Sequence, residues 1–153
     1  MMQRFLGRHA KRIDAKGRVS VPAAFRAVLA ADRLDGPFCL RALGHPAIEA
    51  GGRALIAAID ARLADFPLFS PAHTALATTL LGQSEAIGVD PEGRMSVPEW
   101  IRDATGIDRE MVFVGLGDRF QIWEPSRFAV FETAARVAAE RLLAGLPATE
   151  GGA

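Results

Sequence analysis

The chain has 153 residues, and its 18 lysines and arginines balance its 18 aspartates and glutamates. Half of the residues are hydrophobic and 24% are charged, which excludes a disordered protein, and the single cysteine, Cys39, excludes a disulfide-stabilised scaffold. Charged residues interrupt every hydrophobic stretch, so no run of about 18 apolar residues is available to span a membrane.

The first 26 residues carry an excess of positive charge that the balanced total hides. Seven of them are lysine or arginine and only Asp14 is acidic, so this segment has a formal charge of +6 and the rest of the chain −6. A dense local positive charge favours an anionic partner. A solvated basic strand that merely keeps the protein soluble is the alternative. The segment also lacks the apolar stretch of a signal peptide, so we expect a protein of the reduced cytoplasm.

A nine-residue motif occurs twice, 76 residues apart. Residues 14–22 read DAKGRVSVP and residues 90–98 read DPEGRMSVP, with six identical positions. Because the spacing is about half the chain, the repeat predicts two similar halves. The aspartate and glycine of each copy indicate a tight turn, formed by Asp14 and Gly17 in the first copy and by Asp90 and Gly93 in the second.

Each half is predicted to form the same series of elements. Alternating hydrophobic residues on both sides of the turn predict short strands, in which the motif's arginine and serine share the polar face. The proline that ends each motif begins a helix, over 22–31 and over 98–105. A strand pair follows in each half, at 37–42 with 45–49 and at 111–115 with 119–123.

Three longer helices complete the predicted structure. Hydrophobic spacing predicts helices over 53–66, 71–81 and 125–144, the second of them capped by Ser70. The hydrophobic stripe of the last helix is typical of a core or a subunit contact. One half alone is too small to bury a stable core, so we expect the two copies to pack together as a pseudo-two-fold pair.

The sequence contains no pattern of catalytic or metal-binding residues. His9, His45 and His73 are too far apart for a metal-binding motif, and Cys39 lies in a hydrophobic strand, where a small core residue is expected. The GQS at residues 82–84 lacks the second glycine of a nucleophile elbow. We therefore expect no enzyme, no metal site and no cofactor.

The doubled motif resembles the MraZ family of bacterial transcriptional regulators. The FLGR at residues 5–8 and the LLG at residues 80–82 support the resemblance, which covers nearly the whole chain. It implies an α+β fold with a mostly β core. Two tandem AbrB-like swapped-hairpin domains would form an intrachain pseudo-two-fold pair, with flanking helices.

This resemblance also implies how the chain is divided. The first AbrB-like domain would span residues 8–55 and the second residues 84–127. Connecting helices would occupy residues 56–83, a C-terminal helix residues 128–144, and a flexible tail residues 145–153.

The family implies a function in transcription. It implies binding to short repeats in the promoter DNA of the division and cell-wall gene cluster, repression of that cluster, and a closed homo-oligomeric ring, an octamer or similar. The protein would then lie in the cytoplasm, associated with the nucleoid and not with a membrane. A self-assembling module that binds no DNA, or an antitoxin-like protein that binds a partner, is the alternative.

We predict that the first motif and the strand before it contact DNA. Arg18 follows the turn glycine on the polar face, and a guanidinium there can read guanine or clamp a phosphate. Lys16, at the tip of the turn, is suited to a phosphate. An ion pair with Asp14 is the structural alternative for Arg18. The complete predicted set is Arg8, Lys11, Arg12, Lys16 and Arg18.

The second motif is assigned chiefly to the scaffold and to subunit contacts. Glu92 replaces the lysine of the first copy, where the family usually has a neutral residue, and residues 84–102 carry a formal charge of −2. Negative charge repels phosphate, so Arg94 is only a secondary candidate for DNA contact. For Arg26 and Arg102 a structural role is favoured, which for Arg26 is a pair with Asp14.

Overall fold

The computed structural model describes residues 4–149 and is a mixed α/β structure with antiparallel sheets. These residues form eight strands and five helices. The strands are β1 (Arg8–Arg12), β2 (Arg18–Ser20), β3 (Phe38–Arg41), β4 (Ala47–Gly51), β5 (Glu85–Ala86), β6 (Arg94–Ser96), β7 (Glu110–Gly115) and β8 (Phe120–Trp123). The helices are α1 (Ala23–Ala31), α2 (Arg53–Leu63), α3 (Pro71–Leu80), α4 (Glu99–Thr105) and α5 (Pro125–Leu143).

Most predicted elements occur, with shifted ends. The helices that follow the motifs begin one residue later than predicted, because Pro22 and Pro98 keep extended backbone and act as N-caps. Ser70 caps α3 by accepting a hydrogen bond from the His73 N–H, 3.1 Å away. The predicted helix over 53–66 already ends at Leu63.

Two predicted strands differ from the observed ones. The strand predicted at 45–49 begins at Ala47 instead, because the chain turns at Gly44 with a φ of 80°. The Ala42 N–H closes this hairpin on the carbonyl of Ala47. The strand expected to lead into the second motif stops at Ala86, and beyond it Val89 makes only an isolated bridge to Met95.

Strands of the two halves are interleaved in the sheets. The large sheet has the order β1-β7-β8-β4-β3-β5, so the first half's β1 pairs with the second half's β7, and β4 pairs with β8. A second sheet consists of β2 and β6, one from each motif. Every pairing in both sheets is antiparallel.

The large sheet has a different set of helices on each face. On its inner face, α1, α4 and the β2–β6 sheet enclose the main core, at the centre of which Phe25 is fully buried. On its outer face, α5 covers Trp123, and α2 and α3 cover Leu40. Cys39 is buried in the main core, as predicted, and burial raises the pKa of its thiol above the usual range.

Residues 144–149 follow α5. Arg141 on the last turn of the helix donates from Nε to the carbonyl of Pro147, 2.7 Å away. Residues 150–153 of the predicted tail lie outside the described residues. Of the helices within residues 4–149, none has the length and hydrophobicity needed to cross a membrane.

Candidate nucleic-acid interface

The two copies of the motif meet in the β2–β6 sheet. Val19 lies opposite Met95, and both side chains are buried in the main core. The backbone bonds are reciprocal, because the Val21 N–H donates to Gly93 and the Val97 N–H donates to Gly17, each at 2.9 Å. Alternation places the motif arginines and serines on the opposite face, beside the two turns. We call this face the hairpin surface, comprising Lys16, Arg18, Ser20, Glu92, Arg94 and Ser96.

A carboxylate organises each turn. Oδ1 of Asp14 accepts hydrogen bonds from the backbone N–H groups of Lys16 and Arg18, both at 2.9 Å, and the Gly17 N–H donates to the Asp14 carbonyl. Gly17 has a φ of 78°, a conformation that favours glycine. The bond from the Arg18 N–H is the largest of the effects that lower the pKa of Asp14. This turn is therefore rigid, with an ionised carboxylate at neutral pH.

The second turn repeats this geometry. Oδ1 of Asp90 accepts from the N–H groups of Glu92, at 2.9 Å, and Arg94, at 3.0 Å. Gly93 has a φ of 83°. The bond from the Arg94 N–H is the main cause of the lowered pKa of Asp90. The two arginines thus leave their turns in equivalent positions.

Arg18 is held at one edge only. Its Nε lies 3.2 Å from Oδ2 of Asp14, so the ion pair considered as a structural alternative is present. Its side chain is 27% exposed, and among the described residues its Nη atoms have no hydrogen-bond partner. Lys16 is exposed beside it. The tip of the first turn therefore presents an ammonium and the free edge of a guanidinium.

Arg94 has a more acidic environment than Arg18. Its Nε lies 3.5 Å from Asp90, its Nη1 3.9 Å from Asp14 and its Nη2 3.7 Å from Glu92. Three carboxylates therefore share one guanidinium. We conclude that the two arginines share a face but differ in how much positive charge they present.

The other three predicted residues lie on β1, the strand that precedes the first turn. Arg8 forms an ion pair with Glu132 of α5 and lies over a phenylalanine ring of the same helix, and Arg12 is 3.0 Å from Glu110. Both face the outer side of the sheet, while Lys11 is half-buried on the opposite face. The structure thus brings Lys16 and Arg18 together and leaves Arg8 and Arg12 engaged elsewhere.

Two further arginines flank the turns, each reaching the turn of the other half. The Arg26 guanidinium lies so close to Gly93 that a Cβ there would be 2.7 Å from Cζ, and its Nε donates to the Val21 carbonyl. The predicted pair of Arg26 with Asp14 is therefore wrong. Arg102 lies near Gly17 and donates to the Asp108 carbonyl at 2.6 Å. The sequence indicates that the two arginines occupy equivalent positions, because each occurs twelve residues after the aspartate of its motif.

Known proteins match this chain over most of its length. Residues 80–143 match a family described as "MraZ protein, putative antitoxin-like". A relative from Xanthobacter autotrophicus is 46% identical, over 82% of this chain and 80% of its own length. A relative from Azorhizobium caulinodans is 42% identical over 98% of this chain and 96% of its own length. A relative from Rhizobium rhizogenes is 43% identical over 94% and 97%. All three carry the name "Transcriptional regulator MraZ".

Proposed function

The chain belongs to the MraZ family of transcriptional regulators, and from this premise we propose that it binds specific promoter DNA and represses the division and cell-wall gene cluster. The observation that carries the proposal is the hairpin surface, where Lys16 and Arg18 stand exposed or half-exposed on a turn fixed by Asp14. A guanidinium that is held at one edge can use its other edge to read guanine or to clamp a phosphate.

We further propose that the two halves are AbrB-like swapped-hairpin domains, spanning residues 8–55 and 84–127. The interleaved strands and the reciprocal bonds of Val21 and Val97 support a pseudo-two-fold axis between the two motifs. In this arrangement Lys16 and Arg18 make the main contacts with DNA. Arg94 makes a secondary contact, because carboxylates surround it.

The proposed assembly is a ring of identical subunits, an octamer or similar, associated with the nucleoid in the cytoplasm. Each subunit offers few phosphate contacts, so its own affinity is low and falls steeply with salt. Copies joined in one assembly raise the effective concentration of the remaining hairpin surfaces at neighbouring promoter repeats. Assembly is therefore part of the proposed mechanism.

The direct test is a gel-shift titration with the DNA upstream of the protein's own gene, at low and at physiological salt, against a scrambled duplex of equal length. We expect binding at low salt to both duplexes and at physiological salt to the upstream DNA alone. Absence of a shift even at low salt would instead favour the antitoxin-like or scaffold alternative.

Replacing Lys16 with alanine is expected to reduce the salt dependence of binding without changing sequence preference. Lys16 is an exposed point charge at the tip, so its loss removes about one phosphate contact and lowers the slope of log K against log salt by about one unit. Fluorescence anisotropy over a salt series measures this slope. A slope equal to that of the unmodified protein removes Lys16 from the interface.

Replacing Glu92 with lysine is expected to tighten binding. The substitution removes the carboxylate 3.7 Å from Arg94 and gives the second turn the charge of the first. We expect affinity to rise about fivefold at low salt, corresponding to about 1 kcal/mol, and the salt slope to increase by about one unit. Asp118→Lys is the charge-matched control. Asp118 is exposed in the β7–β8 loop, which lies beside the start of β1 and therefore at the opposite end of that strand from the first turn. Equal effects of the two variants would mean that only net charge matters.

A further inference from the structure

The turn between α2 and α3 exposes two large hydrophobic side chains. Leu68 is 66% exposed and Phe69 is 87% exposed. The Ser70 N–H donates to the Pro67 carbonyl at 3.0 Å, and Phe69 has a φ of 69°, at a turn position where glycine or asparagine is usual. In a single copy of the protein, Phe69 therefore carries two energetic costs: a strained backbone conformation and a large hydrophobic surface in water. We call Leu68 and Phe69 the 68–69 turn.

A largely hydrophobic groove lies beside α5, next to the turn between β3 and β4. It has a volume of about 500 Å³ and is lined by Pro46, Trp123, Val130 and Phe131, together with His45, Ser126 and Arg127. The rings of Trp123 and Phe131 stack at 4.7 Å, and the His45 ring meets Phe131 edge-on at 4.8 Å. Val130 is 74% exposed. We call this depression the α5 groove.

The groove continues along the helix. Val130 also lines a second depression of about 740 Å³ together with Val137, one further heptad along α5. Val137 is 53% exposed. Val130 and Val137 therefore add an exposed hydrophobic strip to α5, in addition to the side of the helix that packs Phe128 and Phe131 on the sheet.

We propose that the 68–69 turn of one copy docks into the α5 groove of a second copy. Both parts of the contact belong to the same chain, so they are always present in equal amounts. The groove is large enough for a phenyl ring, and the rings of Phe131 and His45 offer the edge-to-face contacts that aromatic rings prefer. A contact between two different patches is heterologous, and repetition builds a ring or a filament.

The two side chains of the 68–69 turn alone would bury too little surface for a stable interface, so the contact must extend beyond them. A buried aromatic side chain contributes about 150–250 Å², whereas a stable interface needs about 800 Å² per partner. The exposed stripe from Val130 to Val137 supplies further hydrophobic surface on the groove side. The 68–69 turn is then the central anchor of a larger interface. This inference rests on the proposed assembly and specifies the surface that builds it.

Two variants disable the two sides of the contact separately. Phe69→Gly removes the ring and suits the positive φ, so the fold should resist urea at least as well as the unmodified protein. Val130→Glu places a charge in the groove at an exposed helical position. We expect each to weaken self-association at least about tenfold in sedimentation velocity without DNA. Leu6→Ser, at another exposed leucine, is the control and should assemble normally.

Mixing the two variants tests the pairing itself. Phe69→Gly keeps an intact groove and Val130→Glu keeps an intact 68–69 turn, so an equimolar mixture should form dimers joined by one productive contact. Assembly of Phe69→Gly like the unmodified protein, or failure of the mixture to form dimers, would overturn the proposal. Because these measurements use no DNA, their failure is distinct from a failure of the gel shift, which tests the proposed function.

Discussion

Replacing Arg18 with alanine is expected to abolish binding to promoter DNA while the assembly remains intact. The change removes the guanidinium that projects from the first turn, and among residues 4–149 it leaves Asp14 with only Arg94, 3.9 Å away, as a cationic partner. A lost bidentate contact costs about 1–3 kcal/mol, and an assembly loses it at every engaged subunit. A gel shift with upstream DNA measures binding, and size-exclusion chromatography measures assembly.

The matched control is Arg136→Ala, at an exposed arginine of α5 on the other side of the sheet. We expect this variant to bind DNA as the unmodified protein does. If the Arg18→Ala variant binds equally well, Arg18 serves only to neutralise Asp14 and the site assignment is wrong. A thermal melt of both variants separates loss of contact from loss of fold.

A lysine at position 18 distinguishes specific recognition from simple attraction. Arg18→Lys keeps the charge but loses the planar pair of donors that matches a guanine edge. We expect this variant to keep binding at low salt and to lose its preference for upstream over scrambled DNA. Retained preference would assign Arg18 to a phosphate and would place base recognition elsewhere on the hairpin surface.

Local chemistry made the turns, the caps and the helices predictable. The aspartate and glycine of each motif specify a turn within five residues, and Ser70 with Pro71 specifies a helix start, so neither depends on distant parts of the chain. The β3–β4 hairpin was less predictable, because the turn at Gly44 displaced the strand to Ala47.

Partners that are distant in sequence were not predictable in the same way. Arg8 and Arg12 belong to a basic segment, but their ion-pair partners, Glu132 and Glu110, lie about 100 residues or more further along the chain. The charge of a segment therefore did not reveal which of its cations are already engaged. The environment of Arg94 likewise follows from the β2–β6 pairing, which brings Asp14 within 4 Å of it.

Replacing Phe25 with alanine is expected to lower the free energy of unfolding by about 3–5 kcal/mol, a large part of the stability of an ordinary domain. Phe25 is fully buried, and its ring centroid lies 5.2 Å from that of Phe5, 6.2 Å from that of Phe113 and 4.8 Å from that of Phe120. The cavity would open between α1 and strands of the second half. Urea unfolding measures the change as a lower midpoint with an unchanged slope.

The control and the cooperativity of that transition test whether the two halves share one core. Phe66→Ala, at a half-buried ring after α2, should lower the free energy of unfolding much less, because solvent already reaches the site.

Tryptophan fluorescence reports on Trp100 of α4 and Trp123 of β8, which lie on opposite faces of the large sheet. Because strands of both halves are interleaved in that sheet, Phe25→Ala should shift the far-UV circular dichroism and the fluorescence transitions together. Two separated transitions would mean that the halves unfold independently, and the hairpin surface, which needs both motifs, would then be lost before the rest of the fold.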